Sequence, residues 1–379
     1  MKLAFLIYQY FPYGGQQRDF MRILMRCRQA GHQLRVYSLR WEGEVPHGVE
    51  LIKVPVKAWS RHTLYQRYSQ WVAKALLQNP VDAVIGFSKM PGLDFYYAAD
   101  PCFAERMAQE KSWLKKMLPR YRHFLCYEQA VFAPPSPTQV MLLSPQQRQD
   151  FAKWYPGCEH RLHELAPGID ASRLPGTDEE LAEERKQFRK NFSLTDDQIV
   201  LLQIGSGFRV KGVDRSIRAV ASLPEHIKQQ VQFFIVGQDK ADKYIQLAQS
   251  LGVAERCHFT GGRDDVPQFL RGCDLLLHPA HSESAGYTLL EAVINGLPVL
   301  TTDTCGYAFH VLRANAGEVC SSPFSQQELN SRLLAMLESD QKTQWHKNGL
   351  AYAHSVDVVG MPDSALALIE NTVRNKERQ

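Results

Sequence analysis

The sequence predicts an α/β protein made of two domains, each built on a parallel sheet. Its 379 residues exceed the roughly 250 to 300 that one hydrophobic core supports. Short apolar runs alternate with helix-like segments along most of the chain, an order typical of strands joined by helical crossovers. A strand followed by a glycine turn and a helix occurs near residue 14 and again near residue 205.

Composition and charge narrow the class of protein. Hydrophobic residues make up 44% and charged residues 22%, which are ordinary globular values, and the formal charge of +4 is too small to indicate a nucleic-acid partner. The eight cysteines show no CxxC pair and no metal-ligand spacing, so we expect a reduced, cytosolic chain. The apolar run in MKLAFLIYQYF is too short for a signal peptide, and no other segment is apolar enough to span a bilayer.

The amino-terminal strand and helix flank a glycine turn. Lys2 to Tyr8 is a predicted strand, residues 12–15 (PYGG) form the turn, and Gln17 to Ala30 is a predicted helix. The glycines lack the GxGxxG spacing of a dinucleotide fold. Asp19 lies near the helix start, where its charge serves either as a cap or as an acid of a ligand site.

Further strands complete an α/β domain that ends near residue 167. They are LRVYSLRW, Val49 to Pro55, Val81 to Gly86 and Thr138 to Leu143. Phe87 to Cys102 is a connection rich in aromatic, glycine and proline residues, and it carries Asp94 and Asp100. It is either a packed loop or, because it follows the carboxyl end of a strand, part of a site.

Residues 102–130 form a segment in which basic residues are concentrated among apolar ones. The cations are Lys111, Lys115, Lys116, Arg120 and Arg122, and Leu114, Leu118, Tyr121 and Leu125 share helical spacing. One interpretation is a surface helix with its apolar face on the core; the other is an interfacial helix on anionic lipid. Pro119 interrupts the pattern, which favours a kinked or two-piece helix.

The second domain begins after a predicted linker at Ala166 to Arg173. Ile199 to Gly205 is a strand that runs into a turn a phosphate could approach. Arg209 and Lys211 stand before the next helix, where cations oppose the helix dipole unless an anion lies between them. The turn therefore indicates either a diphosphate site or a solvated loop.

The stretch from Asp274 to Thr302 carries two carboxylates, Glu283 and Glu291, around a loop of small residues. In a continuous helix their Cα atoms would be about 12 Å apart, and Gly286 makes continuity improbable. Such a separation suits two acids that hold different parts of an elongated anionic ligand, such as a sugar diphosphate, better than a hydrolase pair. Residues 317–321 are predicted to be hairpin-like, and helices follow from residue 325.

These residues carry a family resemblance. The block PxxSExxGxxLLEAxxxGLPVL at residues 279–300 resembles the signature of the retaining GT-B glycosyltransferases of family 4, with Glu283 and Glu291 as its E-x7-E pair. The segments FPYGGQQRDF, GSGFRVKGVDRS and GGRDDV fall in the order of that family. The resemblance implies two Rossmann-like domains facing a cleft: an acceptor-side domain at 1–167, with a carboxy-terminal helix at about 356–379 packing back on it, and a nucleotide-sugar domain at 168–355.

The resemblance also implies roles for individual residues. Glu291 would bind the ribose hydroxyls, Glu283 and the backbone of the 285–287 segment would hold the donor sugar or phosphate, and Arg209 with Lys211 would clamp the diphosphate. Asp19 and Asp100 would face the transferred sugar or the acceptor. We expect Glu283, Asp19, Lys211 and Asp100 to be the catalytic groups. The expected donor-binding set is Gly14, Gly15, Gly205, Arg209, Lys211, Arg263 (at the uracil pocket), Ala285, Gly286, Tyr287 and Glu291.

One residue departs from the family pattern. Arg usually stands directly before the Lys-Gly pair, whereas Val210 occupies that place here and Arg209 lies one step earlier. Lys211 therefore keeps its place in the family pattern, whereas Arg209 is displaced from it by one residue.

Within the family, FPYGGQQRDFMR, SKMPGLDFYYAAD and RYRHF resemble the lipopolysaccharide-core glucosyltransferases. The resemblance implies transfer of glucose from UDP-glucose to the first heptose of the inner core, with retention of configuration. No metal and no cofactor are expected, because the chain has no DxD triplet. The expected location is the cytoplasmic face of the inner membrane, with residues 102–130 on anionic lipid. The alternatives are another UDP-sugar or acceptor, or a GT-B sugar-nucleotide epimerase.

Overall fold

The computed structural model describes residues 1–377 except Tyr13 and Lys111. The chain divides into two compact units, Met1–Gly168 with Val359–Gln379 and Ile169–Val358. Each unit contains a parallel sheet with helical connections, which confirms the predicted α/β class.

In the described part of the first unit, seven strands form the parallel sheet, in the order β5-β3-β1-β6-β7-β8-β9, while β2 and β4 pair separately. The strands are β1 (Lys2–Leu6), β2 (Gln9–Tyr10), β3 (Gln33–Ser38), β4 (Arg40–Trp41), β5 (Val49–Lys53), β6 (Ala83–Gly86), β7 (Phe95–Tyr97), β8 (Gln139–Leu142) and β9 (Leu162–Glu164). Leu3 of β1 is in register with Leu34 on one side and Ala83 on the other. The strand order therefore reverses between β1 and β6, and in such sheets ligands bind beyond the carboxyl ends at that point.

Helices of this unit connect the strands. They are α1 (Gly15–Gln29), α2 (Arg61–Gln78), α3 (Phe103–Gln109), α4 (Trp113–Lys116), α5 (Pro119–Phe132) and α6 (Pro145–Trp154), and Glu159–Arg161 is a 3-10 turn. Ser60 and Ser144 start α2 and α6 by accepting hydrogen bonds from the backbone N–H of the third helical residue. Pro119 and Pro145 take the first helical positions, where the missing N–H has no cost.

Among the described residues of the second unit, six strands form a parallel sheet in the order β12-β11-β10-β13-β14-β15. The strands are β10 (Ile199–Ile204), β11 (Val231–Val236), β12 (Cys257–Gly261), β13 (Leu275–His278), β14 (Val299–Thr302) and β15 (Gly317–Cys320). The helices are α7 (Asp178–Asn191), α8 (Val213–Ala221), α9 (Glu225–Lys228), α10 (Asp242–Ser250), α11 (Val266–Gly272), α12 (Tyr287–Ile294), α13 (Ala308–Ala314), α14 (Gln326–Glu338) and α15 (Lys342–Ser355), with 3-10 turns at Ala171–Arg173 and Ala254–Arg256. Every residue of β11, β13 and β14 is buried, as expected for parallel strands covered on both faces. The order reverses between β10 and β13, so the loops that follow these two strands meet.

The last helix, α16 (Met361–Glu377), belongs to the first unit and packs on α1. Ala365 and Ile369 are fully buried there. Arg26 Nε lies 2.5 Å from Asp363 Oδ1, and His32 Nε2 lies 3.0 Å from Glu370 Oε1. Apolar burial and these polar contacts together fix the helix on α1.

The structure corrects three predictions. The 87–102 connection, predicted as a loop or site, contains strand β7 (Phe95–Tyr97). Residues 317–320 form a strand parallel to β14 rather than a hairpin. The helical spacing predicted for Leu114, Leu118, Tyr121 and Leu125 is wrong at Leu118, which lies between α4 and α5 with an extended backbone. The predicted two-piece helix is confirmed, because a new helix begins at Pro119. Lys111, part of that predicted cationic set, lies outside the described residues.

Candidate active site

The turn after β10 brings backbone and a lysine side chain close to the end of β13. Gly212, which precedes α8, has φ +71°, and a Cβ atom there would lie 2.1 Å from the carbonyl oxygen of Pro279. Only glycine fits both the left-handed backbone and this close approach. Gln203 of β10 donates from Nε2 to the Lys211 carbonyl over 2.7 Å, which holds the turn that carries this lysine. These contacts place the backbone of Lys211 at the point where the strand order reverses.

Glu283 is the centre of the side-chain cluster at this edge. Its Oε1 forms an ion pair with Lys211 Nζ, and its Oε2 lies 2.7 Å from His278 Nε2. His278, the last residue of β13, is fully buried, and the Lys211 and Glu283 side chains are 17% and 15% exposed. The carboxylate therefore lies between two nitrogen donors and remains partly open to a ligand.

The electrostatics keep Glu283 ionised. Burial alone would raise the pKa of this carboxyl, but the charge of Lys211 and the contact with His278 outweigh it and lower the pKa from 4.5 to about 2. The neighbouring Cys305 thiol has its pKa raised to about 12, chiefly by burial and then by the Glu283 charge. Glu283 is therefore an anion and Cys305 a neutral thiol at physiological pH.

Backbone hydrogen bonds fix the loop that carries Glu283. The Glu283 N–H donates to Thr304 O over 3.1 Å, and its carbonyl accepts from the Gly306 N–H over 2.9 Å. The Ala285 carbonyl accepts from the Tyr307 N–H over 2.6 Å. Gly286 (φ +95°) then opens α12 without a side chain over the helix start. The backbone of residues 285–287 is thus placed at a helix N-terminus, where an anion is favoured.

Glu291 lies in α12 and is paired with a distant residue. Its side chain is 7% exposed, and its Oε2 lies 3.1 Å from Arg173 Nη1. Asn295 Nδ2 donates to the carbonyl of Arg173 over 3.0 Å, and Asn295 Oδ1 accepts from Arg271 Nε over 2.9 Å. This network fixes the Glu291 carboxylate in place.

The two other predicted cations of the second unit lie apart from Glu283. Arg209 is exposed, and Val210 beside it is 50% exposed. Arg263 forms a bidentate pair with Asp265, with N–O distances of 2.8 and 2.6 Å, and its guanidinium lies 5.5 Å from the Phe269 ring centroid. The structure therefore brings Lys211 to Glu283 but places neither arginine in that cluster.

In the first unit, Gly14 precedes α1, and Gly15 is its first residue. A Cβ atom at Gly15 would meet no atom within 4 Å. Asp19 is not a helix cap, so that alternative is wrong: it lies in the second turn, 3% exposed, and accepts a hydrogen bond from Tyr97 Oη over 2.7 Å. Arg22 Nη1 lies 4.0 Å from its other oxygen. Asp19 is thus a buried, partnered carboxylate beneath the start of α1.

A cavity of about 370 Å³ lies beside this turn, at the switch point between β1 and β6. Its lining residues include Gln16, Gln17, Lys89, Asp100, Arg106 and Phe124. The rings of Tyr8 and Tyr65, which also line it, stack with centroids 3.7 Å apart. Asp100 is exposed, and no described residue hydrogen-bonds the buried Tyr8 hydroxyl. Flat aromatic walls with polar groups are the usual features of a small-molecule site.

Glu128 supports this cavity from below and was not anticipated from the sequence. The fully buried carboxylate accepts from the N–H groups of Phe103 and Ala104 over 2.6 and 2.8 Å, which caps the start of α3. Lys89 Nζ lies 2.5 Å from its Oε2 and 2.8 Å from the Pro101 carbonyl. No local sequence pattern predicts this cap, because the N–H groups that Glu128 accepts from lie about 25 residues before it in the chain.

A metal at Glu283 is disfavoured by charge. One potential ligand atom each of His278, Glu283 and Cys305 lies within 4.8 Å of the others. The Lys211 ammonium, however, already neutralises the Glu283 carboxylate, and a cation would have to displace it. The expectation of a metal-free site stays a prediction.

Comparisons with known proteins decide the family. The model of the glycosyl transferases group 1 family matches residues 184–351, which include Lys211, Glu283 and Glu291. Lipopolysaccharide glucosyltransferase WaaG of Escherichia coli strain K12 is 45% identical over 370 residues, spanning 97% of this chain and 98% of that protein. The chain belongs to the group 1 glycosyl transferases.

Solved structures agree with this family. The crystal structure of WaaG, a glycosyltransferase involved in lipopolysaccharide biosynthesis, has a TM-score of 0.90 and 45% identity, covering 97% of this chain and 99% of that one. Anabaena Alr3699/HepE in complex with UDP-glucose has a TM-score of 0.71 at 18% identity, covering 98% and 100%. The second likeness shows the fold alone. This group 1 enzyme is thus a glycosyltransferase with the GT-B fold, as its sequence predicts.

The length and apolar content of the helices bear on how the protein could meet a membrane. Within the described residues of this group 1 glycosyltransferase, no helix has the length and apolar content that crossing a bilayer requires.

Proposed function

We propose that this enzyme transfers glucose from UDP-glucose to the first heptose of the lipopolysaccharide inner core, with retention of anomeric configuration. The observation that carries the proposal is the Lys211–Glu283–His278 cluster at the switch point of the second unit. The similarity to WaaG over almost the full chain supports glucose as the donor sugar and lipopolysaccharide as the acceptor.

The donor roles follow from charge and position. Lys211, aided by Arg209, neutralises the charge that develops on the UDP leaving group, and the helix start at residues 285–287 adds N–H dipoles. Gly205, at φ +134°, keeps the turn after β10 free of a side chain. Glu291 accepts from the ribose hydroxyls.

Arg263 lies on the GGRDDV loop after β12, at the carboxyl edge of the same sheet. We assign it to the uracil pocket. Its bidentate pair with Asp265 fixes the plane of the guanidinium, which suits stacking against a flat base.

Glu283 acts as a hydrogen-bond acceptor for the donor sugar rather than as a general acid. Its pKa of about 2 leaves no proton to donate. The two nitrogens engage one site on each carboxylate oxygen, and a second lone pair on each oxygen remains for sugar hydroxyls. No protein nucleophile is assigned to the retention step, and no metal is invoked.

The acceptor binds to the first unit. The cavity with the Tyr8–Tyr65 stack offers flat apolar surfaces for sugar rings, and Asp100 at its edge can accept from acceptor hydroxyls. Gly15 leaves the start of α1 open to ligand, because a Cβ atom there would meet no atom within 4 Å, whereas the side chain of Gln17 fills the corresponding space at Gly14. Asp19, buried beneath that start, holds the local geometry through Tyr97 and Arg22 and faces the sugar from below.

The enzyme is peripheral on the cytoplasmic face of the inner membrane, through residues 102–130. Leu114, Met117 and Leu118 are 62%, 67% and 42% exposed, an unusual amount of apolar surface for one short segment. Arg120 and Arg122, also exposed, lie beside them at the start of α5. Exposed aliphatic side chains among cations are the chemistry of an anionic lipid surface.

A donor panel tests the reaction. The enzyme is incubated with UDP-glucose, UDP-galactose or UDP-N-acetylglucosamine, with and without lipopolysaccharide truncated after the inner-core heptoses, and products are read by mass spectrometry. We expect one hexose to be added from UDP-glucose only, and Glu283→Gln to lose the transfer. Transfer from another donor would replace the substrate assignment. Conversion of a UDP-sugar to its epimer without acceptor would establish the epimerase instead.

A further inference from the structure

His278 is a buried group that neither the family signature nor the donor assignment includes. It ends β13, has no exposed surface, and its Nε2 lies 2.7 Å from Glu283 Oε2. Thr301 Oγ1 donates to the His278 carbonyl over 2.8 Å, which fixes the backbone of the same residue. The Nδ1 atom is also buried and has no hydrogen-bond partner among the described residues. Buried polar atoms usually have partners, so this arrangement calls for a reason.

The contact sets the direction of the hydrogen bond. Glu283 is an ionised carboxylate that only accepts, so the proton of the bond must sit on His278 Nε2. The Nδ1 atom on the other side of the ring takes no part in this contact. His278 is therefore a hydrogen-bond donor that points at Glu283.

A second hydrogen-bond donor to Glu283 matters because Lys211 interacts with two anions, the Glu283 carboxylate and the diphosphate of the bound donor. Its ammonium sits at the end of a flexible stem, and the proposed function draws it toward the diphosphate when the donor binds. Glu283 would then keep only the contact with His278. Without that contact the carboxylate could rotate away from the sugar.

We infer that His278 is a positioning residue, which holds the Glu283 carboxylate in one orientation so that its remaining lone pairs meet the hydroxyls of the donor sugar. The inference rests on the donor-sugar role of Glu283 given under the proposed function. His278 itself does not touch the substrate, and its effect is exerted wholly through Glu283.

Two substitutions separate this role from simple packing. His278→Met fills similar volume without a donor, and His278→Gln places an amide N–H near the position of Nε2. The matched control is His258→Met: His258 is a strand histidine in the same sheet whose Nε2 lies 2.6 Å from the side-chain oxygen of Gln232. Each protein is tested as the full chain for kcat and KM with UDP-glucose, for UDP affinity by calorimetry, and for thermal stability.

We expect His278→Met to lower kcat roughly 10-fold to 100-fold, the usual range for a hydrogen bond to a charged group, while UDP affinity stays within about twofold because UDP lacks the glucose that Glu283 holds. The acid limb of its kcat profile should move to higher pH, since Glu283 loses a donor. His278→Gln should recover most of kcat, and His258→Met should change little.

Unchanged kcat in a folded His278→Met enzyme would overturn the inference. So would equal losses of kcat, UDP affinity and thermal stability in both His278 variants, because these indicate packing alone. Glu283→Gln separates the two proposals. If this variant retains full activity, the donor-sugar role of Glu283 is wrong. If Glu283→Gln is inactive and His278→Met is fully active, only the positioning role of His278 is wrong.

Discussion

Arg173 and Glu291 form an ion pair in the second unit, with 3.1 Å between Nη1 and Oε2, although 118 residues separate them in the chain. Both side chains are largely buried, at 19% and 7% exposure. Glu291 is thus positioned by the segment that begins the unit, and the proposed ribose contact depends on that segment.

Arg173→Met should therefore weaken UDP binding as well as the fold. Removing one partner of a buried pair deprives the Glu291 carboxylate of the Arg173 charge, and we expect a loss of roughly 3 kcal/mol in the free energy of unfolding, the low end of the usual range because Arg173 is partly exposed. Urea denaturation measures this loss, and calorimetry should show UDP affinity reduced several-fold. Arg332→Met, at an arginine that pairs with Glu318 and Glu328, is the control for losing a partly exposed ion pair in the same unit. UDP affinity equal to that of the control would rule out the ribose role of Glu291.

Acid should remove the stability that Glu283 supplies. Its pKa is about 2 in the folded protein and ordinarily 4.5, so between these values the unfolded chain binds more protons. The contribution is complete above the unfolded value and is lost as the pH falls through that window. The difference in free energy of unfolding between the wild type and Glu283→Gln should accordingly shrink between about pH 5 and about pH 3 in urea titrations. A difference that stays constant over that interval would mean that the ion pair with Lys211 does not stabilise the fold.

The basic segment should bind anionic vesicles. Replacing Lys116, Arg120 and Arg122 by Gln removes three cations, each worth about 1 kcal/mol near such a surface, so affinity should fall roughly 100-fold. Co-sedimentation with phosphatidylglycerol vesicles at moderate salt measures it. The charge-matched control replaces Lys186, Lys190 and Lys240, which are exposed in the second unit. If both triple variants bind equally well, residues 102–130 do not contact lipid.

The Tyr97 hydroxyl should stabilise Asp19. Tyr97→Phe removes a 2.7 Å hydrogen bond to this buried carboxylate, and a loss of about 2 kcal/mol in the free energy of unfolding is expected. In an Asp19→Asn background the same substitution should cost less, since the charge is gone. Urea denaturation of the four proteins gives the coupling energy. A coupling near zero would show that the two groups act independently.

The sequence predicted the features that repeat along the chain and missed those that join distant residues. Apolar runs that alternate with helical segments were enough to predict the parallel fold, and the glycines at 205 and 286 marked turns that the structure finds with positive φ. Strand β7 was missed because its three residues, Phe95–Tyr97, lie among glycine and proline. The 317–320 strand was misread because a glycine at a strand start also suits a hairpin, and only its register with β14 distinguishes the two.

For the candidate site, the spacing of Glu283 and Glu291 indicated two acids with separate tasks, and the cations before α8 left a diphosphate site and a solvated loop as alternatives. The partners of these acids could not be predicted. Nothing in the sequence singled out His278, while Arg173 was visible only as the end of a linker and Tyr97 only as one aromatic residue of a loop. The tertiary fold brings each of these residues to its partner, and the local sequence around them does not predict that contact.

The central claim is that sugar transfer occurs with retention through a donor held at Glu283 and Lys211. The most direct test is the anomeric configuration of the new linkage, read by NMR on the product formed from UDP-glucose, an α-linked donor, and the truncated core acceptor. An α-glucosyl product is expected. A β-glucosyl product would contradict the account.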